Sequence, residues 1–310
     1  MESDCSMYCF HPILVRQWYE DKDGTKKQAK TYHQVPCGKC VACLARKRNE
    51  WTYRLSMEQA MSDYTFFATL TYDKKNCPVR IKDGVPYLVF SKPDVQKYMK
   101  RVRYFIDKID KNIETSYYLT SEYGGIGHRP HYHFLLYVKG DKYLVHKKQI
   151  DMILRNTWQK GFVTFKPAND ANIHYVTKYC VKDLETMPED CIDPVFILTS
   201  KRPYLGSSFE PTLEKQITYS PDYEAKVFIH GMPNAMPRIY RQKLGASACR
   251  ATASIYTDFL TGDTEEKYLA EWRRSHDYFS APEFVNFCWA KVKRIEKDAT
   301  RRQLKRNEKL

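Results

Sequence analysis

His131-Tyr132-His133-Phe134-Leu135-Leu136-Tyr137-Val138 is the stretch that decides the fold, because a run of aromatic and aliphatic residues of this length is typical of a β-strand. Residues two apart in a strand point to the same face, so His131 and His133 share one face. The opposite face is predicted to enter the core and carries Tyr132, Phe134, Leu136 and Val138. The stretch therefore predicts a strand with two imidazoles side by side on its less apolar face.

Segments on both sides of this strand predict further regular structure. Aromatic and β-branched runs predict strands at residues 64–72, 115–120 and 161–165. Apolar residues at helical spacing predict helices at about 92–109, from Ile150 to Trp158 and at 172–182. Ser91 and Pro93 mark the start of the first helix. The order β-α-β-β-α-β plus a terminal helix is that of an α+β, ferredoxin-like antiparallel sheet.

Patterning divides the chain into four predicted regions. A Cys-rich, basic N-terminal module at 1–60 precedes the sheet-forming core at 61–185. A loop-rich region with many prolines follows at 186–262, and a helical, basic C-terminal region follows at 263–310. The predicted core therefore carries a Cys-rich extension at one end and a helical extension at the other.

The charge of the chain points to a polyanionic partner. Its 310 residues include 51 Lys and Arg against 37 Asp and Glu, a formal charge of +14, and nucleic acid is the commonest partner of such a protein. A hydrophobic content of 43 % excludes a disordered polycation. No run of about 18 apolar residues occurs, so we expect a soluble intracellular protein that does not bind membranes. The sequence also lacks the phosphate-binding loop of ATP-driven motors.

The two strand histidines are candidate metal ligands, and a metal site needs at least one more. Glu122, at the end of the preceding strand and across a Gly-rich turn, is predicted to lie opposite them. His128 is the competing third ligand. Two imidazoles and a carboxylate suit Mg²⁺, Mn²⁺ or another divalent ion. The alternative is a pair of solvent-facing histidines without a metal.

A second motif at residues 175–182 contains Tyr-x-x-Lys twice in tandem. On a helix its polar members fall within one arc, away from the apolar side, and they are Tyr175, Lys178, Tyr179 and Lys182. A phenol with a pKa of about 10 is mostly protonated at neutral pH, so a nearby ammonium or a metal-polarised phosphate would help its attack on phosphorus. The alternative is an amphipathic helix with tyrosines at its rim and lysines in water.

Together, the two motifs resemble those of the HUH superfamily of single-strand nicking endonucleases. Motif by motif, the chain is similar to the replication initiation proteins of microviruses, particularly of the gokushovirus branch. The matching core segments are residues 67–72, the His-hydrophobe-His segment 129–133 and the tyrosine pair. Outside the core, the matching segments are residues 36–43, 200–203 and 236–240. Residues 203–206 depart from the family, which has a tighter glycine-containing turn there.

The resemblance implies a nickase that starts rolling-circle replication. One tyrosine would cleave a single-stranded DNA origin, leaving a 5′-phosphotyrosine and a 3′-hydroxyl that primes a host polymerase. The second tyrosine would act after one round and allow the strand to be rejoined. His131, His133 and Glu122 would hold Mg²⁺ or Mn²⁺, and Lys178 and Lys182 would stabilise charge on phosphate or phenolate. The implied partners are a host helicase and DNA polymerase, in the cytoplasm of the bacterial host.

The N-terminal cysteines suggest a structural metal. The preferred ligands for zinc are Cys9, Cys37, Cys40 and Cys43. An iron–sulfur cluster and reduced structural thiols are the alternatives. The basic segment behind the cysteines is predicted to track DNA phosphates through Arg46, Lys47, Arg48 and Arg54.

Two other functions fit the same motifs in part. A mobilisation relaxase or a single-strand transposase would share the catalytic motifs, although the Cys-rich and C-terminal segments favour a replication initiator. A non-catalytic, zinc-dependent protein that binds single-stranded DNA would need only the charge and the aromatic residues. A covalent protein–DNA adduct would distinguish the nickase from the binding protein.

Overall fold

The computed structural model describes residues 9, 12–21, 23–125, 127–140, 146–180, 191–219, 226–229, 232–243 and the single positions 271, 273, 274, 294, 297 and 301. The strands are β1 (Ile13–Glu20), β2 (Lys26–Val35), β3 (Tyr64–Tyr72), β4 (Val79–Lys82), β5 (Val85–Leu88), β6 (Glu114–Tyr123), β7 (Pro130–Lys139), β8 (Gly161–Pro167), β9 (Ile197–Thr199), β10 (Lys226–Ile229) and β11 (Met232–Ala235). The helices are α1 (Val41–Ala60), α2 (Lys92–Ile109), α3 (Lys147–Asn156), α4 (Asp170–Thr177), α5 (Glu210–Tyr219) and α6 (Arg238–Lys243).

The chain divides into two units. The sheet unit is Trp51–Tyr223, and the terminal unit combines Met1–Glu50 with Glu224–Leu310. Within its described residues, the terminal unit contains the β1–β2 and β10–β11 hairpins and α6. The helical region expected at 263–310 lies outside the described residues except at six single positions, whose backbone is helical. The boundaries of the four regions stay a prediction.

The sheet unit is built on a five-stranded antiparallel sheet in the order β8-β3-β7-β6-β9. Its first four strands along the chain are joined through α2 and α3 in the order β-α-β-β-α-β. β7 lies between β3 and β6 and is antiparallel to both, as in a split βαβ unit. The predicted α+β, ferredoxin-like fold is therefore confirmed, and β9 extends the sheet beside β6.

One face of the sheet packs against α2 and α3. The Ser91 hydroxyl caps α2 by accepting a hydrogen bond from Asp94 N at 3.4 Å, and Pro93 lies in the first turn, as the sequence indicated. The buried cluster on this face includes Tyr98, Val102, Ile106, Ile150, Leu154, Tyr132, Phe134, Leu136 and Val138. The predicted core face of the histidine strand is thus confirmed.

The other face is only in part the polar face that the sequence predicted. Leu135 and Tyr137 of β7 are fully buried there, in a second cluster with Leu55 of α1 and with Ile173 and Val176 of α4. Strand alternation tells which residues share a face but not whether a further layer of helices covers it. The histidines share this face and are half-buried.

Several elements were not predicted from the sequence. The β4–β5 hairpin lies between β3 and α2, and α5 lies in the region expected to consist of loops and short strands. The basic segment at 44–54 is part of α1. Among the helices of the described ranges, none is both long and apolar enough to span a membrane.

Candidate active site

Three adjacent strands bring polar side chains together on the half-buried face. Antiparallel pairing places Thr69 of β3 opposite His133 of β7, and Glu122 of β6 opposite His131 of β7. Cross-strand partners lie about 4.5–5.5 Å apart at Cβ, so the strand register itself assembles the site. The expected placement of Glu122 beside the two histidines is observed.

His133 is held at both of its ring nitrogens. Its Nε2 lies 2.8 Å from Glu122 Oε2, and its Nδ1 lies 2.9 Å from the Thr69 hydroxyl. The Phe67 ring stacks on the imidazole with a centroid distance of 5.8 Å and an interplanar angle of 4°. These contacts fix the ring orientation, as hydrogen-bonded partners do around metal-binding histidines.

His131 lies beside this pair with one ring nitrogen unpaired. Its Nδ1 is buried and has no hydrogen-bond partner within the part of the chain that the structure describes. A Cβ atom at Gly124 would lie 2.7 Å from His131 Nε2, so the Gly-rich turn leaves the space that the ring occupies. Burial and the neighbouring His133 lower the pKa of His131, which keeps the imidazole neutral at pH 7.

The tyrosine motif lies on a helix that is shorter than predicted. Asn169 and Asn172 form a reciprocal capping box that sets the start of α4. The helix ends at Thr177, and residues 178–180 form a 3-10 turn, so the predicted helix at 172–182 is wrong at its C-terminal end. The Thr177 hydroxyl donates to the carbonyl of Ile173 at 2.9 Å, a contact that weakens helix continuation. Residues 181–190, including Lys182, lie outside the described residues.

Both phenols reach the His133–Glu122 pair. The Tyr175 hydroxyl donates to Glu122 Oε2 at 2.9 Å and lies 3.4 Å from His133 Nε2, and the Tyr179 hydroxyl donates to the Tyr175 hydroxyl at 3.2 Å. The sequence placed both tyrosines on the side that the core leaves free. This is wrong for Tyr179, which is only 2 % exposed. A 3-10 turn winds by about 120° per residue instead of about 100°, and this rotates Tyr179 inward.

The contacts favour an ionised carboxylate beside two protonated phenols. Burial raises the pKa of Glu122, but hydrogen bonds from His133, Tyr179 and Tyr175 outweigh burial and bring the pKa to about 2. Burial and the charge of Glu122 raise the pKa of Tyr175 to about 12, and they raise the pKa of Tyr179 further. At pH 7 the site therefore holds one negative charge, on Glu122.

Lys178 lies over both phenol rings. Its Nζ is 4.0 Å from the ring centroid of Tyr175 and 5.3 Å from that of Tyr179. The face of an aromatic ring attracts a cation, so this contact keeps an ammonium group next to both candidate nucleophiles.

The donor set of His131, His133 and Glu122 fits a divalent cation by its chemistry. It offers a neutral imidazole with a free buried nitrogen, a second imidazole and an ionised carboxylate. Among the described residues, neither this set nor one with His128 brings three ligand atoms within 4.8 Å of one another. A cation would therefore draw the three side chains closer, in place of the direct contact between His133 and Glu122.

Four cysteines of the terminal unit do converge that closely. The ligand atoms of Cys9, Cys37, Cys40 and Cys43 all lie within 4.8 Å of one another. The Cys37–Cys43 and Cys40–Cys9 sulfur–sulfur distances are both 3.9 Å. A tetrahedral zinc site with Zn–S bonds of about 2.3 Å has sulfur–sulfur edges of about 3.8 Å. The preferred ligand set from the sequence can thus hold a structural metal such as zinc.

The basic residues predicted to track DNA phosphates have different surroundings. Lys47 is exposed, and Arg46 Nη2 donates to Cys43 Sγ at 3.7 Å. The Arg54 guanidinium carbon lies 4.1 Å from the ring centroid of Trp51. DNA binding stays a prediction for Arg46, Lys47, Arg48 and Arg54.

Sequence reasoning did not assign a role to two residues of the site, Thr69 and Phe67. Both lie in the first family segment, 67–72, and strand alternation places them on one face of β3. Their position opposite His133 depends on strand register, which alternation alone does not reveal.

Comparisons with known proteins agree with this site. Residues 65–184 match the family model of the replication-associated protein ORF2. The replication-associated protein VP4 of Bdellovibrio phage phiMH2K is 26 % identical over 257 residues, 76 % of this chain and 76 % of that protein. The replication-associated protein ORF2 of Spiroplasma virus 4 is 26 % identical over 57 % of this chain and 62 % of its own length.

A third relative covers a smaller part of the chain. The replication-associated protein ORF4 of Chlamydia phage 1 is 25 % identical over 52 % of this chain, and the match spans 41 % of that protein. No solved structure matches. These matches confirm the resemblance to phage replication proteins that the motifs indicated.

Proposed function

We propose, on the premise that residues 65–184 form the replication-associated domain of a microvirus-like phage protein, that the chain is a site-specific single-strand DNA nickase and strand transferase. One observation carries the proposal: Tyr179, Tyr175, Glu122 and His133 form a continuous series of hydrogen-bond contacts. A carboxylate shared by a phenol and an imidazole suits proton transfer from an attacking hydroxyl group.

In the proposed step a tyrosine hydroxyl oxygen attacks the phosphorus of a phosphodiester and its proton passes to the Glu122–His133 pair. The P–O3′ bond breaks, the 3′ oxygen takes up a proton, and the 5′-phosphate stays esterified to tyrosine. With a pKa of about 12, roughly one Tyr175 in 10⁵ is ionised at pH 7, so the proton must leave during the attack. Attack of a 3′-hydroxyl on the tyrosine ester reverses the step and rejoins DNA without a nucleotide cofactor.

We propose that His131, His133 and Glu122 hold Mg²⁺ or Mn²⁺. When bound, this cation supplies polarisation of the scissile phosphate. Thr69 and Phe67 keep the His133 ring in one orientation for that task. The Nδ1 of His131, which is buried without a partner among the described residues, supports its assignment as a ligand.

Lysine side chains are proposed to stabilise the negative charge that develops on phosphate or phenolate. Lys178 Nζ, 4.0 Å from the ring centroid of Tyr175, is close enough to act on either. Lys182 is proposed for the same role from the sequence motif.

Two phenols on one carboxylate support two successive cleavages. The first would open the origin strand and leave a 3′-hydroxyl that a host DNA polymerase extends, with a host helicase separating the strands. The second would cleave the regenerated origin while the released 3′-hydroxyl resolves the first ester and circularises the product. This sequence is rolling-circle replication, which we place in the cytoplasm of the bacterial host.

For the rest of the chain we keep the regional assignment from the sequence. The module at 1–60 is proposed to carry zinc on its four cysteines and to contact DNA phosphates through Arg46, Lys47, Arg48 and Arg54. The nickase core is proposed to be residues 61–185, followed by the family-specific region 186–262 and the basic C-terminal region 263–310.

The test is formation of a covalent adduct. Labelled single-stranded oligonucleotides of randomised sequence are incubated with the protein and Mn²⁺ and separated on a denaturing gel. We expect an adduct with the wild type, with Tyr175→Phe and with Tyr179→Phe, but none with the double variant or with chelator. Tyr104→Phe, on α2, is the matched control and should retain the adduct.

Absence of an adduct with the wild type, or its persistence in the double variant, contradicts the proposal. In the first case, binding of the same oligonucleotides would favour a non-catalytic DNA-binding protein. Sequencing of the DNA attached to the tyrosine peptide would identify both the nucleophile and the cleavage site.

A further inference from the structure

We propose that the β8 edge of the sheet is the surface along which the single-stranded substrate reaches the active site. Phe162 would serve as a base-stacking platform and Lys166 as a phosphate contact. The inference rests on the proposed function and extends it to substrate-positioning residues outside the catalytic contacts.

Strand register connects β8 to the site. Each residue of β8 in question lies opposite a residue of β3, which in turn lies opposite a site histidine of β7 or its neighbour. The resulting rows across the sheet are His131–Thr71–Phe162, His133–Thr69–Thr164 and Leu135–Phe67–Lys166. Since paired residues point to the same face, the β8 side chains share the face of the active site.

Exposure increases along these rows toward the edge strand. The His133 side chain is 12 % exposed, whereas Phe162 is 65 % exposed. The intervening residues of β8, Val163 and Phe165, pack against the main core, so Phe162 projects from a well-anchored strand. Two strand spacings put Phe162 about 10 Å from His131, a short reach for DNA whose phosphate lies at the histidines.

Charge and continuity identify the occupant as single-stranded DNA. Lys166 Nζ lies 5.8 Å from the ring centroid of Phe67, which stacks on His133. A positive charge and an exposed aromatic ring therefore border the site within one strand. Proteins that bind single-stranded nucleic acid without sequence preference combine these two features, because every base has a face that can stack.

The test of the stacking platform measures binding to fluorescein-labelled dodecathymidylate. A Tyr175→Phe, Tyr179→Phe background prevents cleavage. Phe162→Ala and Phe162→Leu should weaken binding by about 5- to 100-fold, whereas Phe162→Trp should retain it. The leucine variant separates base stacking from general apolar contact. Tyr104→Ala is the matched control, since Tyr104 is 57 % exposed on α2, and it should change the Kd less than twofold.

The phosphate contact has its own readout. Lys166→Gln should make the plot of log Kd against log salt concentration shallower by about 0.7, the value for one phosphate contact of a single strand. Lys108→Gln on α2 should leave the slope unchanged. An unchanged slope in Lys166→Gln would remove Lys166 from the surface.

The outcomes separate this inference from the nickase proposal. If wild type forms the covalent adduct but Phe162→Ala binds dodecathymidylate normally, the β8 surface is wrong and the nickase stands. If wild type forms no adduct but Phe162→Ala loses affinity, the nickase is wrong and the β8 surface stands. An exposed edge strand can also pair with a second copy. A lower sedimentation mass of Phe162→Ala with unchanged DNA affinity would assign the edge to self-association and overturn the inference.

Discussion

The Tyr175 hydroxyl donates a hydrogen bond to Glu122 Oε2 at 2.9 Å, and the same oxygen lies 2.8 Å from His133 Nε2. One carboxylate oxygen thus serves a phenol and an imidazole at the same time. Because the pKa of Glu122 is about 2, that oxygen carries negative charge throughout the neutral range. The proposed chemistry therefore depends on the charge of Glu122 more than on its shape.

Glu122→Gln keeps the shape and removes this charge. We expect the rate of adduct formation to fall by about 10²- to 10⁴-fold, because a proton acceptor and a cation ligand are lost together. The rate is measured with single-stranded DNA across a series of Mn²⁺ concentrations. Glu114→Gln, at the exposed start of the same strand, is the control and should change the rate less than twofold. A normal rate in Glu122→Gln would exclude Glu122 from catalysis.

Thr69→Val tests the hydrogen bond that orients His133. Valine is nearly isosteric with threonine but cannot hydrogen-bond to the imidazole Nδ1, which lies 2.9 Å from the Thr69 hydroxyl. Loss of such a partner typically costs about 10- to 100-fold in metal affinity or activity. We expect a correspondingly higher Mn²⁺ concentration at half-maximal adduct formation. Thr65→Val on the same strand should behave as wild type, and equal Mn²⁺ curves for the two variants would contradict this role.

Acid stability gives a further test of the Glu122 contacts. The pKa of Glu122 is lowered from 4.5 to about 2 in the folded protein, so its ionised form stabilises the fold. This contribution is complete above about pH 4.5 and is lost as the pH falls toward 2. The difference in free energy of unfolding between wild type and Glu122→Gln, measured by urea titration, should therefore shrink between pH 6 and pH 2.5. Glu114→Gln should show no such change, and a constant difference for Glu122→Gln would contradict the low pKa.

The main core could be predicted because its periodicity is regular over whole elements. The alternation around Tyr132 and Phe134 identified a buried strand face, and Ser91 marked the helix start within one residue. Such local signals act through side-chain direction and capping, which depend on neighbouring residues only. The pairing of Glu122 with the histidines followed from a short Gly-rich turn.

Features that depend on distant contacts could not be predicted in the same way. The burial of Tyr179 results from a 3-10 turn after Thr177, whose hydroxyl also lies 3.1 Å from that of Thr52 in α1. No helical periodicity encodes a contact across more than a hundred residues. The position of Thr69 opposite His133 likewise required the strand register.

A buried ion pair links distant parts of the sheet unit and predicts a large effect on stability. Glu58 is 2 % exposed and accepts hydrogen bonds from Lys139 Nζ at 2.7 Å, Ser116 Oγ at 2.7 Å and Gly206 N at 2.6 Å. Lys139→Met would leave its carboxylate without a counter-charge, which should cost about 3–5 kcal/mol in the free energy of unfolding. Chemical denaturation measures this loss. Lys108→Met on α2 should cost less than about 1 kcal/mol, and a similarly small loss for Lys139→Met would contradict the assigned role of the pair.

The cysteine cluster predicts one zinc ion per chain. Cys37 Sγ accepts hydrogen bonds from the backbone N–H groups of Lys39 at 3.4 Å and Cys40 at 3.3 Å, as the sulfur of a metal-bound thiolate commonly does. Cys37→Ser should lower the zinc content measured by mass spectrometry to well below one ion per chain and should lower the melting temperature. Cys77→Ser, outside the cluster, should keep the full zinc content. A wild-type protein with visible iron–sulfur absorbance would change the metal. One that is free of metal and equally stable with and without chelator would show that the four thiols are structural only.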